Sequence, residues 1–342
     1  MTIIKITPLV KLSLFLAVGS LSQVTYATDD KQLNECLLKE LKVSAENVTV
    51  KQLYSLCEER RNEQEVVNKP VKLGAISRRI IQERKTEFDP YVLTPHKMNY
   101  ILPILTTDKI NTDAYEGFGE WSEHLEDVEA KFQISLKVPL NNEDLFVKGD
   151  GLFFGFTLKS WWQIYSDNIS KPFRETNYQP EVFYLAPLDW HPLGGNTGLI
   201  VGLEHQSNGR SQLISRSWNR AYLNFLYEKD NFALSFKPWF RLKEDAKENE
   251  LSSEGDDNPD IGDYMGHFEL SAIYKTSDYE FSIQGRQNFS EHHGGLELGV
   301  TFPLWGRLRG YVQFTKGYGE SLIDYNHDQQ RFGLGIALTN IL

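Results

Sequence analysis

A short run, Glu204-His205-Gln206-Ser207-Asn208-Gly209-Arg210, followed downstream by Asn219, carries the residue types that could do chemistry in this chain. A serine hydroxyl attacks an ester only when a nearby base takes its proton. In a strand, His205 and Ser207 are two apart and point to the same face, so the histidine can be that base. The same face carries Leu199, Val201 and Leu203, whereas Gly202, Glu204 and Gln206 take the other. On the next segment Ser217, Asn219, Ala221, Leu223, Phe225 and Tyr227 form one row, opposed by Trp218, Arg220, Tyr222, Asn224 and Glu228. If the two segments pair as a hairpin, Asn219 can lie beside His205 and fix the tautomer of its ring. Gly209 permits a tight turn whose amide can meet an oxyanion. His-x-Ser is a weak signal by spacing alone; its continuation of an apolar row gives it meaning. That row is the reverse of a soluble enzyme's arrangement and points to ester chemistry on the lipid-facing surface of a membrane barrel. An amide suits such a surface, since a carboxylate facing hydrocarbon is costly to keep ionised.

The elements that would position these residues are short alternating strands. From Lys97 onward, segments of about ten residues alternate apolar and polar positions between charged, turn-rich loops, as outer-membrane barrels do. In the last of them Phe332, Leu334, Ile336, Leu338 and Leu342 oppose Arg331, Gly333, Gly335, Ala337 and Thr339. Phe232, Leu234, Phe236 and Phe240 likewise oppose Ser235, Lys237, Trp239 and Arg241. Counting from Tyr100 to Leu342 gives twelve such segments. An even number lets every strand pair antiparallel and leaves no edge. The expected fold is therefore all-β: a twelve-stranded antiparallel transmembrane β-barrel over 97–342, with a small helical N-terminal appendage on the periplasmic side.

The chain has 342 residues and a formal net charge of −11, which argues against general nucleic-acid binding. Residues 1–27 read as a secretory signal: Lys5 and Lys11 flank or precede an apolar core, and Thr25-Tyr26-Ala27 supplies small residues before a cleavage site. No later segment reaches the roughly 18 to 20 apolar residues of a spanning helix, so any crossing must use a closed barrel. The only cysteines, Cys36 and Cys57, lie in the appendage, residues 28–75. In an exported protein they read as a disulfide stapling a helical hairpin. Residues 76–96 read as a linker, and the basic set Arg78, Arg79, Arg84 and Lys85 as the solvated face of a helix.

His205-Gln-Ser207-Asn208-Gly209-Arg210-Ser211, then Ser215-Arg216-Ser217-Trp218-Asn219-Arg220, closely resembles the signature of the outer-membrane phospholipase A family. Phe173-Arg174-Glu175-Thr176-Asn177-Tyr178, Asp256-Asp257-Asn258-Pro259-Asp260-Ile261 and Tyr318-Gly319-Glu320-Ser321-Leu322-Ile323-Asp324-Tyr325-Asn326 match it in the same order. The resemblance covers 97–342 and leaves the appendage outside. It implies a calcium-dependent outer-membrane enzyme hydrolysing sn-1 and sn-2 acyl esters of phospholipids and lysophospholipids, active as a homodimer, with its site facing the outer leaflet. Ser207 would be the nucleophile, His205 the proton acceptor, Asn219 the orienting residue and Gly209 the oxyanion amide. One calcium per monomer would take the Arg210 carbonyl, the Ser215 hydroxyl and the carbonyl of Ser170 of the partner subunit, with waters. A second calcium site in the family uses an aspartate where this chain has Gln212; Asp257 remains, which leaves that site open. Leu158 replaces a glutamine at the family's dimer interface, and Leu342 replaces the usual terminal aromatic.

Residue patterns alone leave other readings standing. A transport barrel without activity predicts a hydrated lumen and indifference to Ser207. A structural barrel would act through its N-terminal hairpin, and an acyltransferase or lipopolysaccharide deacylase need not share the calcium requirement. Asp256, Asp257 and Asp260 read as a solvated acidic loop, and His292-His293 beside Gly294-Gly295 as a turn.

Overall fold

The computed structural model describes residues 36–42, 48–58 and 72–342, apart from 117–118, 250–251, 253 and 307. The signal expected at 1–27 lies outside the described residues. Two compact units divide between Val71 and Lys72. In the first, α1 (36–41) and α2 (50–58) are helical, and Cys36 is disulfide-bonded to Cys57. Leu53 and Cys57 are its buried side chains among the described residues.

The second unit opens with α3 (Ala75–Arg84) and a two-residue strand, β1 (Thr94–Pro95), laid on β3. Twelve antiparallel strands follow: β2 (Tyr100–Thr107), β3 (Val128–Pro139), β4 (Gly151–Trp162), β5 (Phe173–Leu188), β6 (Asn196–Ser207), β7 (Ser217–Lys229), β8 (Phe232–Leu242), β9 (Phe268–Thr276), β10 (Tyr279–Asn288), β11 (His293–Trp305), β12 (Leu308–Gly317) and β13 (Gln329–Ala337). Each pairs with its neighbours in sequence, and β13 returns to β2, so the ring has no edge. Pro103 cannot donate to a ladder, and the register of β2 slips around it against β3. Between β8 and β9 a single-turn helix, α4 (Ile261–Met265), sits over one mouth.

Alternation sorts the side chains. Outward positions such as Ile101, Val201, Leu203, Phe236, Ile283 and Leu334 are exposed and apolar. Inward positions are polar or charged, including Glu129, Lys131, Gln133, Glu204 and Arg331, all buried. A continuous apolar outer belt over a polar interior is the surface a membrane barrel presents to lipid. Among the described residues no helix is long and apolar enough to cross a membrane, so the strands do the crossing.

Both mouths are filled. At the end that receives β12's loop, Ile261, Met265, Leu322 and Tyr325 pack on Trp218 and Trp239. At the other end, the stretch expected as a linker carries α3; Arg78 and Lys85 are exposed, as a solvated face requires, whereas Arg79 and Arg84 are half-buried. Arg79 donates to the carbonyls of Ile341, Pro95 and His96, and Arg84 to those of Gly149 and Asp150. The Glu228 carboxylate of β7 accepts from the Gly74 and Ser77 amides at 3.2 and 3.0 Å, satisfying donors at the helix start.

Deep in the lumen, Arg174 is fully buried between two carboxylates, with bonds of 3.0 and 3.1 Å to Glu129 and 3.1 Å to Asp324. Arg331 also holds Glu129. Burial disfavours the charged form of Asp324, but Arg174, Arg331 and the Ser321 and Asn111 hydrogen bonds outweigh it and hold its carboxyl below the ordinary range. A carboxylate whose folded pKa is depressed stabilises the fold above its unfolded pKa of about 3.9 and loses that contribution as pH falls through the folded value. Arg174→Ala, which leaves Asp324 without its ion-pair partner and Glu129 with Arg331 alone, is expected to cost about 3–5 kcal/mol in detergent-micelle unfolding. Native stability should fall as pH drops below about 4, and the variant should lose the part of that slope due to Asp324.

Candidate active site

Strands β6 and β7 pair in a register that sets His205 opposite Asn219, Leu203 opposite Ala221 and Ser207 opposite Ser217. All lie on the outward row, since Gly202 and Glu204 on the intervening positions are buried. His205 Nδ1 and Asn219 Oδ1 are 2.8 Å apart. The orientation of that amide is fixed from its far side, where Asn219 Nδ2 donates to Glu244 Oε1 at 2.7 Å. Oδ1 therefore faces the imidazole. As an acceptor it requires the proton to sit on Nδ1. Nε2 is left as the basic nitrogen on the edge away from Asn219, on the strand that ends in Ser207.

Beyond Ser207 the chain turns through residues 208–216. Gly209 has φ +62, a left-handed conformation that glycine adopts without strain. A Cβ added there would meet the Tyr178 ring at 3.1 Å. Tyr178, exposed on β5 and paired in register with Ser207, thus walls the turn on one side. It stands in an outward row with Leu158 and Ile134. Arg210 reaches back to the Phe173 and Arg174 carbonyls at 2.8 and 3.3 Å, tying the turn to the start of β5.

The loop from β8 to β9 closes the other side. Ser215 Oγ donates to Asp257 Oδ2 at 2.6 Å, and Lys247 is paired with the same carboxylate. Ser217 N–H donates to Asn258 Oδ1 at 2.9 Å. The acidic run expected to be solvated is instead partnered throughout: Asp256 takes Arg241 at 2.6 and 2.7 Å, and Asp260 accepts from the Tyr325 hydroxyl at 2.7 Å. Ser170 lies on the connection between β4 and β5 and is exposed. His293 begins β11 and stacks on Tyr264, away from His205's strand pair.

The structure thus brings His205, Ser207, Asn219 and Gly209 to one outward corner, and Ser215 and Asp257 together beside it. Sequence reasoning missed Glu244, which orients Asn219, and gave Tyr178 no role of its own. Tyr178 was findable, because strict alternation from Phe173 places it outward. Glu244 lies on a loop, where no periodicity predicts what a side chain meets.

The chain as a whole is similar to known proteins. The sequence model of the family described as Phospholipase A1 matches residues 76–338. Phospholipase A1 of Klebsiella pneumoniae is 38% identical over 279 residues, covering 81% of this chain and 91% of that protein. The Salmonella typhi outer membrane phospholipase, solved as a dimer with bound calcium, superposes with a TM-score of 0.70 at 37% identity, over 77% of this chain and 98% of that one. An active-site Asn-to-Ala mutant of the Escherichia coli outer membrane phospholipase A gives the same TM-score of 0.70, at 37% identity and the same 77% and 98% coverage.

The imidazole geometry has a direct spectroscopic consequence. In protein labelled with ¹⁵N-histidine, the neutral His205 ring should be the Nδ1-protonated tautomer, and Asn219→Ala should lose that preference. A native His205 protonated on Nε2 contradicts the assignment.

Proposed function

The chain belongs to the phospholipase A1 family of carboxylic ester hydrolases, and on that premise we propose that it is a calcium-dependent lipase of the bacterial outer membrane with a Ser207–His205–Asn219 triad. The observation that carries the reading is the 2.8 Å contact of His205 with Asn219 on the lipid-facing row, two residues from Ser207. A membrane lipid meets this surface without leaving the bilayer.

The proposed sequence follows from the atoms present. Ser207 Oγ attacks the carbonyl carbon of the acyl ester as His205 Nε2 takes its proton. Asn219 Oδ1 holds the Nδ1–H and keeps the imidazolium in place. The developing oxyanion accepts the Gly209 N–H. Collapse breaks the ester bond, and His205 returns the proton to the departing glycerol oxygen. Water, deprotonated by His205, then attacks the acyl-serine carbonyl; the bond to Ser207 Oγ breaks, His205 returns the proton to that oxygen, and the fatty acid leaves. An orienting amide stabilises imidazolium less than a carboxylate does. Glu244 behind Asn219 offsets part of that deficit.

The donors near the turn suit calcium, a hard cation that takes hydroxyl, carbonyl and carboxylate oxygens. Ser215 Oγ lies 2.6 Å from Asp257, and the Arg210 carbonyl belongs to the same turn. Formal charge is sparse: Asp257 is paired with Lys247, and the described residues hold no cluster of three or more His, Cys, Asp or Glu that could bind a metal. A site of this charge count binds weakly alone, and the carbonyl of Ser170 of the partner subunit would add a ligand on dimerisation. Bound calcium would polarise the ester carbonyl and favour the oxyanion. The reading thus includes a homodimer joined through the outward face around Leu158, with phospholipids and lysophospholipids cleaved at sn-1 or sn-2. The triad lies at the barrel end opposite α3, which is read as the outer-leaflet side.

Fatty-acid release from mixed phospholipid–detergent micelles tests the proposal. Release should require calcium and fall by about 10³-fold or more in Ser207→Ala. Release that persists in that variant, or at full rate in chelator, overturns it.

A further inference from the structure

We propose that Asn208 is the positioning residue of the turn: its side chain draws the two ends of residues 208–216 together and keeps the Gly209 N–H unspent for the substrate oxyanion. This rests on the Ser207 reading above.

Asn208 is 2% exposed. Its Oδ1 accepts from the Arg210 and Arg216 amides at 3.2 and 3.0 Å, one from each end of the turn. Its Nδ2 donates to the Ile214 carbonyl at 2.8 Å and to Glu175 Oε2 at 3.4 Å. Its own N–H goes to the Arg216 carbonyl at 3.0 Å. Both acceptor positions and both donors of the amide are in use, as its burial demands.

The bond from Arg210 N–H to Asn208 Oδ1 is an Asx turn, in which the side chain mimics a backbone turn. It fixes the peptides on both sides of Gly209 and selects the left-handed φ of +62 at that residue. The N–H groups of 208, 210 and 216 are thereby consumed within the turn, whereas Gly209 N–H meets no acceptor among the described residues. A preorganised oxyanion donor has this property: it is held in position and bonded to nothing in the ground state.

Beneath the turn, Glu175 is 1% exposed and accepts from Asn177 Nδ2 at 2.5 Å and Ile323 N–H at 3.3 Å. Asn177 Oδ1 in turn accepts from Leu322 N–H at 2.9 Å. One amide therefore fastens the lipid-facing turn to the loop that fills the lumen.

The test uses full-length protein in calcium-containing micelles, with three variants. Asn208→Ala removes the acceptor and should lower kcat about 10²-fold, the size of a lost oxyanion donor, with KM within about twofold and the fold retained, the unfolding midpoint dropping only by the share of the lost hydrogen bonds. Asn208→Asp keeps the acceptor oxygen but loses both donors, turning an oxygen toward the Ile214 carbonyl and Glu175, and should be impaired as well. Adding Glu175→Gln to Asn208→Asp lets the glutamine amide donate to the aspartate, and should restore kcat to within about tenfold of wild type. A kcat for Asn208→Ala within about threefold of wild type overturns the proposal. So does a loss in which kcat, KM and stability move together, or one the double variant leaves unrestored. Failure of the underlying reading shows differently: wild-type protein would then release no fatty acid, or release it without Ser207.

Discussion

A strand surrounded by hydrocarbon can give its backbone N–H and C=O groups only to other strands, and that demand shapes everything else in this molecule. It forces β13 back onto β2. Closure leaves each strand one face toward lipid and one toward a lumen that must be filled. Charges go inward, where Arg174, Glu129, Asp324 and Arg331 neutralise one another. Apolar residues go outward, and with them, on β6 and β7, go a histidine, a serine and an asparagine. In the proposed account an amide rather than a carboxylate beside His205 suits a wall that faces hydrocarbon, where an ionised carboxylate is costly.

The same closure explains what could be read in advance. Period-two alternation is a local property, so the outward row from Leu199 to Ser207 and its partner from Ser217 to Tyr227 were legible, and the β6–β7 pairing followed from adjacency. Which residue would stand opposite His205 was legible too, because a hairpin has few registers that keep both apolar rows on one face. The loops were not legible. Asp257 meets Ser215, and Asp260 meets Tyr325, across separations that no periodic pattern spans. Arg79 and Arg84 of α3 look solvated in sequence because they bond main-chain carbonyls, which carry no signature of residue type. Asn208 was visible as part of the motif, but its four-way bonding emerges only when residues 208–216 close on themselves.

In the proposed account the lumen serves the outer wall. The loop after β12 packs into one mouth, bonds to Glu175 and Asn177, and so supports Asn208 from below. The outward row Leu158, Tyr178, Ser207 links the face assigned to the dimer with the nucleophile in two strand steps. A partner barrel seated on that face would lie against the wall of the turn, and its Ser170 loop would approach Arg210 and Ser215. Dimerisation, calcium binding and catalysis then act on one short turn, which makes its preorganisation the quantity to protect.

The central claim is that Ser207, on the lipid-facing wall, is the nucleophile activated by His205. The most direct measurement is peptide mapping by mass spectrometry after treating the folded, calcium-loaded protein with a long-chain alkylsulfonyl fluoride in micelles. The account predicts a single adduct on Ser207, formed in step with loss of activity and abolished in His205→Ala. An adduct on another residue that accompanies the loss, or modification of Ser207 with activity intact, would contradict it.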